Sequence, residues 1–192
     1  MTALQRYWMT LDEFRDWDPP DENGAAWDLL DGEPIMQANP TETHGALQAA
    51  LTVLIGGAVR CNRPECRAIV EAGVLPPNHR NMNYRQVDIA VTCAPAKRGN
   101  RYVEAPVLLV EILSPGNRLR TRDNVTILAG LPSVAESVLV DSERVAVEVR
   151  RRGPDGAWSD ADERHGPGGR LVLATIGLDV GVDAIYAGLG FD

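Results

Sequence analysis

Lysine is nearly missing: of 19 cationic side chains in 192 residues, only Lys97 is a lysine. Chemistry that needs a side-chain amine therefore has one candidate. The arginine skew suits bidentate contacts with phosphate, and it equally suits a coding sequence rich in G and C, so alone it assigns nothing. Positive charge is in deficit, at a net −8. That excludes nonspecific coating of nucleic acid, which needs a surplus of cations at the contact. Any such role falls to local groups such as Arg118, Arg120 and Arg122 or Arg150, Arg151 and Arg152. Aromatics make up 5% of residues, leaving few platforms for stacked bases; Trp8, Trp17, Trp27 and Trp158 read as core or interface residues. No apolar run is long enough to cross a bilayer, so no membrane partner is expected. The three cysteines are odd in number and sparse, and "MTALQRYWMTLDEF" lacks the basic start and apolar stretch of a secretory leader. Both indicate a reducing cytoplasm. Cys61 and Cys66 form half a zinc pattern that Cys93, His44, His79 and His165 do not complete. There is no phosphate-binding glycine loop and no nucleophile elbow, and Ser114, followed by Pro115, reads as a turn residue.

A hydrophobic fraction of 44% and a charged fraction of 24%, without a break in composition, indicate one globular domain over 1–192. Thr10, three residues before Glu13, predicts a short capped helix. Apolar residues on both sides of Asp31-Gly32 predict a hairpin, with Glu33 just past its turn. Leu47, Ala50, Leu51, Leu54, Ile55 and Ala58 recur at helical spacing and predict an amphipathic helix over about 42–59. The segments "CRAIVEAGVL", "YRQVDIAVTC" and "PVLLVEIL" read as strands. "RLRTRDNVTILAG" reads as a helix stopped by Gly130 and Pro132, and "AESVLVDSERVAVEVR" as two more strands. The tail predicts a strand and a last short helix from Val182 to Leu189. The order calls for an α/β or α+β layered domain with a mixed central sheet flanked by helices, an N-terminal hairpin and C-terminal strands.

Two of the apolar strands carry an acid: Asp88 in "QVDIAV" and Glu111 in "LLVEIL". An ionised carboxylate is costly to bury without a partner. If the two strands are neighbours, both acids can converge on one hard divalent ion such as Mg²⁺ or Mn²⁺, with Glu33 or Glu71 as a third member. With equal weight, each acid sits at a strand end facing solvent or pairs with an arginine.

The succession "WDLLDGEPIMQANPTETHGALQAAL", "VDIAVTC", "PVLLVEILSPGNR", "LPSVAESVLVDSERVAVEVRRRGPDGAW" and "GGRLVLATIGLDVGVDAIYAGL" resembles the Uma-type family of restriction-endonuclease-like proteins in the PD-(D/E)XK nuclease superfamily, over about residues 8–190. The resemblance implies a restriction-endonuclease-like core and metal-dependent hydrolysis of DNA. Asp88 takes the place of the aspartate of the first motif and Glu111 that of the acid of the second, with the Ile112 carbonyl as a further ligand. Glu33 stands in the recurring DGE triplet, His44 matches a recurring histidine, and Glu71 and Gln86 are supporting residues. Val87 replaces the proline that usually precedes the aspartate. Leu113 replaces the motif lysine, and the position on the following helix where many members carry a lysine falls on Asn124 or Val125. The missing cation then falls to Arg118, Arg120 or Arg122, with Asn124 beside them. Two outcomes follow: a weak endonuclease, by analogy a homodimer, or a nuclease fold kept as a binding or regulatory module.

Overall fold

The computed structural model describes residues 8–19 and 25–191; residues 1–7, on which the reading of the leader partly rests, lie outside them. In chain order the elements are α1 (Leu11–Asp16), β1 (Trp27–Leu30), β2 (Glu33–Met36), α2 (Glu42–Asn62), β3 (Arg67–Val74), β4 (Arg85–Thr92), β5 (Pro106–Leu113), α3 (Arg118–Leu128), β6 (Glu136–Asp141), β7 (Val147–Arg151), β8 (Glu163–His165), β9 (Arg170–Leu173), β10 (Leu178–Gly181) and α4 (Val182–Ile185). Six strands form one sheet in the order β3-β4-β5-β6-β7-β8. Only β5 and β6 run parallel, with α3 as the crossover between them. The sheet is therefore mixed, as the sequence predicts.

Thr10 closes a capping box with Glu13 at the start of α1. The β1–β2 turn places Asp31 and Gly32 at φ 48° and 87°, the two left-handed conformations of a tight type I′ hairpin. Gly32 is also close-packed, since a Cβ there would approach the Met82 side chain to 2.8 Å. The hairpin docks on the chain entering β4: Leu29 exchanges amide bonds with Tyr84, and the Gly32 amide donates to the Met82 carbonyl. This docking lays Asp28 beside Gln86.

Helix α2 begins at Thr41, whose hydroxyl accepts from the His44 amide at 3.2 Å. The cap fixes His44 in the first turn. Leu47, Leu51, Ile55 and Val59 then recur every four residues and pack on Ile89, Val91, Val110, Ile112, Val138 and Val140. At about 1.5–3 kcal/mol per buried aliphatic side chain, this stripe holds the helix to the sheet. A second cluster, Ala72, Val74, Val87, Ala90, Leu109, Leu128, Leu131 and Val134, fills the other side. Helix α3 covers Leu113 and Leu139 through Val125.

The tail departs from expectation. β9 and β10 form a hairpin around Gly177 at φ 63°, and α4 stops at Ile185. β8 lies in a polar segment without apolar alternation, which hid it. Cys66 and Cys93, opposite one another where β3 and β4 begin and end, form a disulfide, and Cys61 is free and exposed. Cys66 is thus tied across the sheet rather than grouped with Cys61. No helix among the described residues is long and apolar enough to cross a membrane.

Candidate active site

The site lies where the sheet opens. β4 pairs antiparallel with β5 through Val91↔Leu108, Ala90↔Leu109 and Ile89↔Val110, and there the ladder ends. One step further, Asp88 and Glu111 would face each other. Instead their carboxylates take the amide protons that the missing rungs release: the Ile112 amide donates to Asp88 Oδ2 at 2.6 Å, and the Asp88 amide donates to Glu111 Oε2 at 3.3 Å. The alternation of β4 also breaks here, since Val87 and Ala90 share one core cluster while Ile89 and Val91 belong to the other. On the neighbouring strand Glu71 stands at φ 47°, a conformation that non-glycine residues rarely adopt and that clusters at functional sites. The result is a cleft of about 250 Å³ over the diverging strands, walled by the first turns of α2 and α3 and by the β1–β2 hairpin.

Glu111 is 6% exposed. Burial, followed by the charge of Asp88, pushes its carboxyl well above the usual carboxylate range. Asp88 also accepts from His44 Nε2 at 2.9 Å, while His44 Nδ1 lies 3.1 Å from Ser114 Oγ. Burial opposes a charge on His44, yet the hydrogen bond to Asp88 and the charges of Asp88 and Glu71 outweigh it, and its pKa is raised. Ser114, His44 and Asp88 thus form one hydrogen-bonded line that fixes the Asp88 carboxylate. Glu71 accepts from the side-chain amides of Gln48 and Gln86, and Gln48 also donates to the Asp88 carbonyl at 3.2 Å.

The three candidate arginines separate. Arg118 is clamped by Asp141 at 2.8 and 3.0 Å and by Glu143, and Arg122 by Glu148 at 2.7 and 2.8 Å. Arg120 alone of the three lines the cleft, held at 2.6 Å by Asp28. Lys97 bonds to Glu104 away from the cleft. Leu113 is 1% exposed beneath Val125, so neither position belongs to the cleft, whereas Asn124 lines it. Of the two helix positions read for the lysine, it is Asn124 that faces the acids. Glu33 is exposed on β2 and is not on the cleft wall; His44, Glu71, Gln86, Asp88, Glu111 and Ile112 all are.

A model of the Uma2 family, described as "Putative restriction endonuclease", matches residues 11–181. The chain belongs to the Uma2 family. Similarity extends over nearly the whole chain. An uncharacterized protein of Synechocystis sp. is 25% identical over 190 residues, 95% of this chain and 94% of that protein. A crystal structure from Anabaena variabilis, described as "a putative nuclease", has a TM-score of 0.72 at 21% identity, over 93% of this chain and 98% of that one. At that identity the likeness shows the fold. The Uma2 reading drawn from five ordered segments is thus shown, and with it a nuclease-like fold.

Sequence reasoning missed Asp28. It is 1% exposed and accepts from the Gln86 amide at 2.8 Å, from Gln37 at 3.0 Å and from Arg120. The signal was present: Asp28 is an acid inside the apolar strand "WDLL", the same pattern that singled out Asp88 and Glu111. Gln48 and Thr121 carried no such signal, because their position depends on how α2 and α3 meet the sheet.

Proposed function

We propose that this Uma2 protein is a divalent-metal-dependent endonuclease that hydrolyses phosphodiester bonds in DNA, with Asp88 and Glu111 holding Mg²⁺ or Mn²⁺. The observation that carries the proposal is the acid pair at the end of the β4–β5 ladder. Glu111 is buried against a second carboxylate, and burial together with the charge of Asp88 raises its proton affinity. An all-oxygen donor set of this kind suits a hard cation. Asp88 and Glu111 would hold the ion, with the Ile112 carbonyl as a further ligand. A divalent ion there would neutralise charge on the phosphate and acidify a water molecule.

The chain's own residues account for the rest. Ser114 and His44 keep Asp88 oriented. Gln48 and Gln86 hold Glu71 beside the pair, where it can accept a hydrogen bond from water. Arg120 offers a fixed positive charge to phosphoryl oxygens, but a guanidinium is a poor proton acceptor. With no lysine in the cleft, one electrostatic stabiliser is lost. Such a loss typically costs about 3 kcal/mol, roughly a hundredfold in rate, so turnover is slow. Cutting both strands calls for two clefts, and a homodimer belongs to the proposal.

The test is cleavage of linear and supercoiled duplex DNA with Mn²⁺, Mg²⁺ or chelator. The expected result is metal-dependent cleavage that disappears in Asp88→Ala. DNA binding without cleavage under every condition replaces this reading with that of a binding module, which the missing lysine favours.

A further inference from the structure

The first turn of α3 is unusually bare. Its N-cap residue Asn117 makes no side-chain cap, and no acid sits in the first turn. The free amides of a helix start carry partial positive charge and bind anions. Independently, Asn124 is 7% exposed, lines the cleft and has no hydrogen-bond partner among the described residues. Thr121, 6% exposed on the same wall, likewise has no partner for its hydroxyl. Neither side chain is spent on the protein, and both open onto the cleft, so both are free to bond a ligand there. Arg120 completes the wall. Asp28 accepts from its Nη2, and Nη1 reaches the Met36 carbonyl only at 3.4 Å, so the guanidinium is oriented without being used up.

We propose that Arg120, Thr121, Asn124 and the open first turn of α3 form a phosphate subsite, separate from the acid pair, which receives the phosphoryl oxygens of a nucleic acid strand while Asp88 and Glu111 face the ion. The subsite deepens the nuclease reading and rests on it for the identity of the strand. Asp28 is its positioning residue. The acids across the cleft repel an anion unless their charge is compensated, and this makes binding at the subsite conditional on their neutralisation.

The experiment uses inorganic phosphate as probe, titrated by calorimetry into the full chain carrying Asp88→Asn and Glu111→Gln, without divalent ions. That background removes the pair's share of the repulsion and makes the result independent of metal binding at the pair. Phosphate is expected to bind, with affinity about tenfold weaker on adding Arg120→Gln, as loss of a charge-assisted hydrogen bond implies, and several-fold weaker on adding Asn124→Leu or Thr121→Val. Ile127→Ala, at an exposed position in the last turn of the same helix, leaves it unchanged. Thermal melts confirm that each variant is folded, and Thr121→Val and Asn124→Leu preserve side-chain volume if Arg120→Gln does not fold. Failure of the neutralised protein to bind phosphate, or equal affinity in all variants, overturns the subsite even if the wild type cuts DNA. Binding with the expected losses upholds it even if the wild type does not.

Discussion

Glu111 concentrates the energetics of the site. A carboxyl whose folded pKa is raised adds stability at low pH and loses it as pH rises from the unfolded value, near 4.5, toward the folded one. In metal-free protein, Glu111→Gln is therefore expected to match the wild type near pH 4 and to exceed its stability by about 1–2 kcal/mol at pH 8, measured by urea unfolding. Equal or lower stability of the variant at pH 8 would contradict the strained pair. Asp141 has the opposite sign. Burial raises its pKa, but Arg118, the Glu143 amide and Arg144 outweigh that and hold it at about 2. It stabilises fully above pH 4, and the contribution is lost as pH falls toward 2. Asp141→Asn should cost about 2 kcal/mol at pH 7, at roughly 1.4 kcal/mol per unit, and little at pH 2.5. A loss that does not shrink in acid would show that packing, not charge, is what Asp141 supplies.

At the scale of elements, α3 explains the missing lysine. Leu113 follows Glu111 on the same side of β5, but Val125 of α3 seals it into a small core with Leu139. A lysine there would bury an ammonium, at a cost of several kcal/mol. One residue away, Asn124 opens onto the cleft. Asn124→Lys is expected to fold and to raise metal-dependent cleavage about tenfold or more, while Val125→Lys unfolds or melts far lower. Comparable melting of the two, or no gain in rate with a folded Asn124→Lys, would count against α3 as the carrier of the missing charge. The same element shows where sequence stops being informative. The stop at Gly130 and Pro132 placed α3, and the family resemblance narrowed the position to two residues. Choosing between them needed the rotation of the helix about its axis, which crossover packing on β5 and β6 sets.

At the scale of the whole molecule, strands β3 to β7 of the central sheet, the β1–β2 hairpin and α2 were legible because each has a strong local signal: unbroken branched apolar runs, a turn that demands left-handed residues, and a four-residue stripe. The β9–β10 hairpin and β8 were less so, being short and mixed in polarity. Asp88 and Glu111 were legible as acids in apolar strands. Their convergence was not, since it depends on the ladder ending at Ile89 and Val110. Glu33 was drawn in by its triplet, but the hairpin turns it outward, and Asp28, across the same turn, reaches the cleft instead.

Central to the proposed activity is a divalent ion held by Asp88 and Glu111 together. Calorimetric titration of Mn²⁺ into the wild type, Asp88→Asn and Glu111→Gln measures it directly. A saturable site in the wild type that is lost in both variants is the predicted result. Unchanged Mn²⁺ binding in both variants, or none in the wild type, would contradict it.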